Sequence, residues 1–447
     1  MREALLVLGV LAELGVVVLV LKHLQRRGRL GPELIRKLLH VVMGLTVVSF
    51  PWLFESVWPV VLLSVLATAT MSAVRWVPAL GSVMGGVIAG VGRVSLGEIY
   101  FPIAVGALWL LSRGDALLFS IPILVLTLAD ATAALVGVRY GQTRYRTLDG
   151  AKSAEGSIAF FAVAFLSVHI PVLLAGMTGR AEALLLATIV GLLVMLIESI
   201  AWRGLDNLFV PLGTYAFLML YLEADAFALL WRCAAIVVLL GFALIWRRRT
   251  SMDDSALLAG ALFAYAALLL GGPWWLWPPL VQFAVHTFAF PRQCSQPVHS
   301  VGSMIVHTAP GLTILLAHTR IPWEGWLWVY AALFVAQLSI VGVSYRLQGV
   351  RPAWIAHVLA AAPIAAVAWL VIGLPVAAGR SGSVPTDKIL LLLAGTFVAV
   401  LVAALGFARR IPTLYEPGAD IIPVHRTGIA LTLVAGGAVG ALAVVVV

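Results

Sequence analysis

Charged residues are scarce in this 447-residue chain: Asp, Glu, Lys and Arg make up 11% of it, whereas soluble domains contain about a quarter. Hydrophobic residues make up 62%, and the mean hydropathy is +1.05. So few charges cannot shield that much apolar surface from water, which excludes a soluble enzyme and a disordered chain. The apolar residues form continuous runs rather than alternating, which excludes an outer-membrane barrel. The composition predicts an all-α, polytopic transmembrane helical bundle.

Cysteine is almost absent. Cys233 and Cys294 are the two cysteines. They lie far apart and have no cysteine neighbours, which excludes a disulfide framework and a cysteine zinc site. We expect both to be packing residues.

Acidic residues are also few and unevenly distributed. Of the 20 Asp and Glu residues, most lie in the first 250 positions. A basic stretch from Arg247 leads to Asp254, and we place the division of the chain there, between residues 1–250 and 251–447. The ionisable residues within apolar runs belong to the first half, so any chemistry is expected there.

The hydrophobic runs predict the number of spans. A span needs about 20 apolar residues, and the chain contains on the order of 16 separate apolar runs. The first run, Leu5 to Leu21, lacks a small-residue cleavage site, and we expect a retained helix rather than a signal peptide.

The net charge of +9 and the pI of about 9.9 reflect basic residues in short loops between apolar runs. This distribution indicates membrane topology and contact with lipid headgroups rather than nucleic-acid binding. Placing the loop with Arg26 and Arg27 in the cytoplasm puts most of the later basic loops on the same side. The positive-inside rule therefore predicts an outside N-terminus in an integral membrane protein, which is a plasma-membrane protein if the source is prokaryotic.

The segment from Leu126 to Phe161 carries the most concentrated candidate chemistry. Asp130 is an acid at membrane depth, where ionisable residues are costly and suggest function. A basic loop follows, and a new helix starts after Lys152. A helix N-terminus attracts phosphate, and a carboxylate suits Mg²⁺. The phosphate-binding candidates are Arg144, Arg146 and Lys152, and the further candidates for holding a nucleotide are Gly137, Gly141, Ser153, Glu155 and Gly156.

The same segment has a structural interpretation. Ser153 is then only a helix cap, Glu155 only compensates the helix dipole, and the basic loop only sets topology. The residues alone leave both interpretations open.

Three further segments are predicted on the cytoplasmic side. Glu198 and the pair Asp206-Asn207 come from separate helices, and carboxylates from separate helices can meet at one metal. The predicted metal ligands are thus Asp130, Glu198 and Asp206, although Asp206-Asn207 is also a plausible helix cap. The other two segments are Arg36-Lys37-x-x-His40, suited to a phosphate or a lipid headgroup, and Gly97-Glu98-Ile99-Tyr100-Phe101-Pro102.

Taken together and in this order, these segments resemble the CTP-dependent polyprenol kinases, which include dolichol, phytol and CTP-using diacylglycerol kinases and look related to phosphatidate cytidylyltransferase. The resemblance covers residues 30 to 220. It implies transfer of the γ-phosphate of CTP to a lipid alcohol with Mg²⁺. The implied catalytic residues are Asp130, Lys152, Glu198 and Asp206, and the implied CTP-binding residues add Arg36, Lys37, His40 and Asn207 to the candidates above.

Residues 251–447 resemble a different membrane family, one that includes phytyl-phosphate kinase. The similarity lies in Ser303 to Gly311 and in Phe334 to Gln337. Gln337 stands where that family has an acid, so this half is expected to be inactive.

Two alternatives to the kinase remain open from the sequence. A cytidylyltransferase would attack the α-phosphate of CTP and release pyrophosphate, although its C-terminal signature is missing. A lipid carrier would use its buried acids for coupling, although the two halves show no matched pair of Gly/Pro-broken helices. The identity of the alcohol and the oligomeric state are not encoded in any motif.

Overall fold

The computed structural model describes residues 1–27, 32–77, 95–250, 252–288, 300–347, 354–378, 386–414 and 422–446. Cys294 and several of the basic loop residues used for the topology lie outside these ranges. The described chain is almost entirely helical, as predicted, and divides into two compact units, residues 1–237 and 238–447.

The first unit contains nine helices and a short hairpin among its described residues. Their bounds are α1 Arg2–Arg26, α2 Pro32–Val48, α3 Phe50–Leu53, α4 Trp58–Trp76, α5 Gly97–Ser112, α6 Ala116–Tyr140, β1 Arg144–Thr147, β2 Gly150–Ser153, α7 Ala154–Leu174, α8 Arg180–Ile200 and α9 Asp206–Tyr221. Helix α10, Ala226–Trp246, runs across the division between the units.

The helices of the second unit pack around one central, buried helix. Their bounds are α11 Asp254–Gly271, α12 Pro273–Phe288, α13 Val301–Arg320, α14 Trp326–Leu347, α15 Trp354–Ala378, α16 Thr386–Leu414 and α17 Ile422–Val446. Residues from Leu327 to Ile340 of α14 are nearly all buried, in contact with α13, α15, α16 and α17.

Nine helices in the described ranges are long and apolar enough to cross a membrane. Four shorter apolar helices accompany them. The fold is thus an all-α bundle with helices of membrane-spanning length, while the total of about 16 spans stays a prediction.

Local sequence explains where the helices of the first unit begin and end. Asp115 caps α6, its carboxylate accepting hydrogen bonds from the backbone N–H groups of Leu117 and Leu118 at 2.9 Å, which satisfies donors that the first turn leaves free. Just before it, Arg113 and Gly114 adopt positive φ values of 51° and 87° and turn the chain between α5 and α6.

The stretch between α6 and α7 differs from the predicted simple loop. It forms an antiparallel hairpin in which Tyr145 pairs with Lys152 and Arg144 with Ser153. The hairpin connects two long helices and contacts α7 and α8 through Tyr145 and Lys152, so its register determines which of its side chains face the protein.

Candidate active site

Two lysine–carboxylate pairs form the centre of the site. In the first, Lys37 of α2 donates to both carboxylate oxygens of Asp130 of α6, at 2.8 and 2.7 Å. The two side chains are only 10% and 15% exposed. A charged group that is this deeply buried is destabilising without an oppositely charged partner. The Lys37–Asp130 pair therefore fixes the position of α2 against α6.

His40 and Phe101 lie beside the first pair. His40 follows Lys37 by three positions on α2, and its Nε2 atom is 3.9 Å from the nearer oxygen of Asp130, too far for a hydrogen bond. Its ring meets the edge of the Phe101 ring, with centroids 5.5 Å apart. His40 Nε2 is buried and has no hydrogen-bond partner among the described residues, so it remains able to bind a group entering the site.

The second pair joins the hairpin to α8. Lys152 Nζ lies 2.7 Å from a carboxylate oxygen of Glu198 and also donates to the Glu198 carbonyl oxygen. Burial alone would lower the pKa of Lys152, but the carboxylates of Glu198 and Asp206 outweigh it and raise that pKa above its ordinary value. Lys152 therefore stays positively charged at the site.

The hairpin register separates its charged residues into two faces. Tyr145 and Lys152 are directly opposed and share the face toward the protein, where the Tyr145 hydroxyl lies 2.7 Å from Ser157 Oγ and 3.2 Å from Ser199 Oγ. Arg144 and Arg146 alternate with Tyr145 and are exposed. The structure thus brings Lys152 to the carboxylates and places the two arginines on the opposite face.

The N-terminus of α7 is built tightly. Ser153 is the predicted cap, and its Oγ accepts a hydrogen bond from Gly156 N at 3.1 Å. Glu155 accepts from the backbone N–H of Thr143 at 3.0 Å, which holds the chain entering β1. The structural interpretation of these residues therefore has direct support, and the nucleotide-binding role assigned to them stays a prediction.

Three glycines let α6 and α7 approach closely. A Cβ on Gly137 would lie 3.0 Å from Ser153 Oγ, and one on Gly156 would lie 3.0 Å from the Ala133 carbonyl oxygen. A Cβ on Gly141 would overlap Ser153. The predicted nucleotide glycines thus have a packing role in the structure, which keeps Asp130 and Lys152 on adjoining elements.

Asp206 and Asn207 begin α9 after a sharp turn. Arg203 and Gly204 adopt positive φ values of 53° and 83°, and the Arg203 carbonyl oxygen accepts from Leu96 N at 2.9 Å. The Asn207 side chain fills the space beside Gly97. The Gly97 motif therefore docks the start of α5 against this turn and sets the position of Asp206.

Three carboxylates converge in this site. Asp130, Glu198 and Asp206 each offer one oxygen, and these oxygens lie within 4.8 Å of one another. One Glu198 oxygen, Oε2, is buried without a hydrogen-bond partner among the described residues. Mg²⁺ prefers oxygen ligands and shares them with substrate phosphates. The donor set therefore fits Mg²⁺, and the two lysines fit the phosphates that would accompany it.

Sequence reasoning missed Tyr145 and Ser199. The Asp149-Gly150 dipeptide signals a turn in the sequence. In the structure Leu148 and Asp149 connect the strands, and Gly150 begins β2 with a φ of 126°. The pairing of Tyr145 with Lys152 then places Tyr145 on the inner face. No comparable signal marks Ser199, which is a buried polar residue one position after Glu198.

The fold and the site define a class of protein: a helical bundle with helices of membrane-spanning length and a partly buried cluster of acids and lysines from several of its elements. The phytol kinase of Synechocystis sp. (strain ATCC 27184 / PCC 6803 / Kazusa) is 32% identical to this chain over 203 residues, which are 45% of this chain and 84% of that kinase. The chain belongs to the polyprenol/phytol kinase family. No protein-family model and no solved structure matches it.

Proposed function

We propose that the first unit is a Mg²⁺-dependent kinase that transfers the γ-phosphate of CTP to a membrane-embedded prenol or similar lipid alcohol. The observation that carries this proposal is the convergence of Asp130, Glu198 and Asp206 beside the ammonium groups of Lys37 and Lys152. Phosphoryl transfer needs mainly positioning and neutralisation of charge, and this cluster supplies both kinds of group. Membership of the polyprenol/phytol kinase family supports the same reaction type.

Each element of the cluster has a role in this proposal. One oxygen from each of Asp130, Glu198 and Asp206 would hold Mg²⁺, and the bound ion would neutralise phosphate charge. Lys37 and Lys152 place their ammonium groups against the phosphates. Arg36 and His40 lie on α2 with Lys37, and Asn207 follows Asp206 in the first turn of α9, so these three residues join the nucleotide-binding set. Arg144 and Arg146 bind the outer phosphates or the approaching nucleotide from the exposed face of the hairpin.

The bonds that change can be assigned to atoms. The hydroxyl oxygen of the alcohol forms a bond to the γ-phosphorus, and the bond from that phosphorus to the bridging β–γ oxygen breaks. CDP leaves with the electron pair. Asp206 forms no ion pair among the described residues, unlike Asp130 and Glu198. We therefore assign the Asp206 oxygen that does not face the metal to orient the hydroxyl and accept its proton.

Labelled CTP tests this proposal. Purified protein in liposomes would receive Mg²⁺ and CTP labelled at the γ- or the α-phosphate, with phytol, farnesol, a polyprenol, diacylglycerol or phosphatidic acid as acceptor. We expect only the γ-label to enter the lipid phase, with one of the alcohols. Transfer of the α-label would instead establish a CDP-lipid synthase.

Two matched variants make the test specific. Asp206→Asn should abolish transfer, whereas Asp225→Asn, an exposed acid that accepts a hydrogen bond from Ala228 N at 2.8 Å, should leave transfer unchanged. Absence of label from every lipid, with folded protein, would contradict the enzyme and favour a carrier.

A further inference from the structure

The second unit contains a cavity apart from the carboxylate cluster. Residues of α10, α11, α12, α13 and α14 line it, all of them from position 239 onward, and the space open to the centre of a water-sized probe is about 110 Å³. Nothing in the proposed kinase chemistry uses this space.

The lining of the cavity is mostly apolar, with a few uncharged polar side chains. Among the described residues, no Lys, Arg, Asp or Glu lines it, and His307 is its one titratable group. Aromatic and methionine side chains, including Phe263, Phe334 and Met304, form its walls. A phosphate or carboxylate placed here would lose its hydration without gaining a cation, so the lining favours a neutral, hydrophobic ligand.

Gln337 gives the cavity a directed polar group. Gln337 is 4% exposed, and its Nε2 atom donates a hydrogen bond to the His307 carbonyl oxygen at 2.8 Å. A carbonyl oxygen only accepts hydrogen bonds, so this contact fixes which end of the amide is nitrogen. The other end, Oε1, is buried and has no hydrogen-bond partner among the described residues.

Ser303 adds a second unpartnered group. Its Oγ is buried without a hydrogen-bond partner among the described residues and also lines the cavity. Thr308, on the same helix, bonds to its own backbone at Met304 O. Leaving a buried acceptor unpaired is unfavourable. The cavity thus offers one fixed acceptor and one hydroxyl to a ligand that can donate a hydrogen bond.

We propose that this cavity binds a neutral, long-chain alcohol, with its chain among the apolar walls and its hydroxyl donating to Gln337 Oε1 and meeting Ser303 Oγ. An ether, an ester or a hydrocarbon tail would contact the apolar walls but would give Gln337 Oε1 no hydrogen-bond donor. The proposal is independent of the kinase chemistry of the first unit, because it concerns binding and requires no nucleotide.

A photoreactive ligand tests the location. Full-length protein carrying Asp130→Asn, in lipid nanodiscs without CTP, would be irradiated with hexadecanol bearing a mid-chain diazirine, and the labelled peptides mapped by mass spectrometry. We expect labelling on α11, α13 and α14 that excess hexadecanol abolishes. Labelling that is confined to the first unit, or that hexadecanol does not reduce, would overturn the proposal.

Competition tests the hydrogen bond. Hexadecanol should displace the probe about fivefold better than hexadecyl methyl ether, the effect expected for one hydrogen bond, and hexadecyl phosphate should compete poorly. In Gln337→Leu the preference for alcohol over ether should disappear. A merely structural role of Gln337 would change both affinities together and leave their ratio unchanged.

Ser339→Ala is the matched control. Ser339 lies on the same helix and is fully buried, but its hydroxyl bonds to Val335 O at 2.8 Å and it does not line the cavity. This variant should keep the alcohol preference. Equal competition by alcohol and ether in the parent protein would overturn the proposal even if Gln337→Leu fails to fold, and would indicate a crevice filled by bulk lipid.

Discussion

Asp130 has a structural role and a proposed catalytic role, because it accepts two hydrogen bonds from Lys37 and also belongs to the carboxylate cluster. We expect Asp130→Asn to lower kcat for lipid phosphorylation by at least about 10²-fold, the scale for losing one charge-stabilising group at a transition state. The measurement is γ-phosphate transfer in liposomes. Asp115→Asn, at the cap of the same helix, should keep full activity, and an active Asp130→Asn enzyme would contradict the assignment.

A second variant separates the two roles of Asp130. Removing one partner of a buried pair costs about 3–5 kcal/mol of stability, whereas replacing both by apolar groups is often neutral. Lys37→Met/Asp130→Leu should therefore unfold at a higher temperature than Asp130→Asn and still be inactive. Recovery of activity together with stability would show that the pair only supports the fold.

The raised pKa of Lys152 leads to a prediction about pH dependence. The folded pKa of Lys152 is raised above the ordinary 10.5, so the stability that its charge contributes is fully present below that value and is lost only as the pH rises through the higher folded pKa. We expect the midpoint of thermal unfolding and kcat to show no decline from Lys152 between about pH 7 and about pH 9.

Lys152→Arg is the control for that profile, since Arg stays charged throughout. Wild type and Lys152→Arg should have profiles of the same shape. The prediction would be wrong if kcat or the unfolding midpoint of wild type fell near pH 8 while that of Lys152→Arg did not. That result would show that burial lowers the Lys152 pKa.

At the scale of elements, the close approach of α6 and α7 sets the distance between Asp130 and the hairpin. A side chain at Gly156 would meet the Ala133 carbonyl oxygen and Ser153 Oγ, and overpacking of this kind costs about 1–3 kcal/mol. We expect Gly156→Val to lower both the unfolding midpoint and the transfer rate. Gly15→Val in α1, where a Cβ meets nothing within 4 Å, should change the transfer rate little.

The same elements show what the sequence could predict. Ser153, Glu155 and Lys152 mark the start of α7 because capping and dipole compensation are local effects. The two ion pairs join residues 93 and 46 positions apart, and no local pattern encodes such a pairing. The charged residues of the site were therefore predictable one by one, whereas their partners depend on how the helices pack.

For the whole molecule, apolar runs predicted most of the helices, because the length and hydropathy of a segment report whether it can cross a bilayer. They could not predict the hairpin between α6 and α7, whose residues are mostly polar. Nor could they predict the cavity in the second unit, because Gln337 and Ser303 lie 34 positions apart and line the same cavity only because α13 packs against α14.

The orientation of the bundle leads to a final prediction. Helix α7 has 21 residues and is about 31 Å long, enough to cross the hydrocarbon core, so its two ends should face opposite sides. The positive-inside rule puts the hairpin in the cytoplasm. In a background of Cys233→Ser/Cys294→Ser, a membrane-impermeant maleimide should label Leu148→Cys only in inverted vesicles and Ala175→Cys only in right-side-out vesicles. Both positions are exposed in the structure, so labelling of both from one side would show that α7 does not span, and the reversed pattern would place the carboxylate cluster on the outer face, away from cytoplasmic CTP.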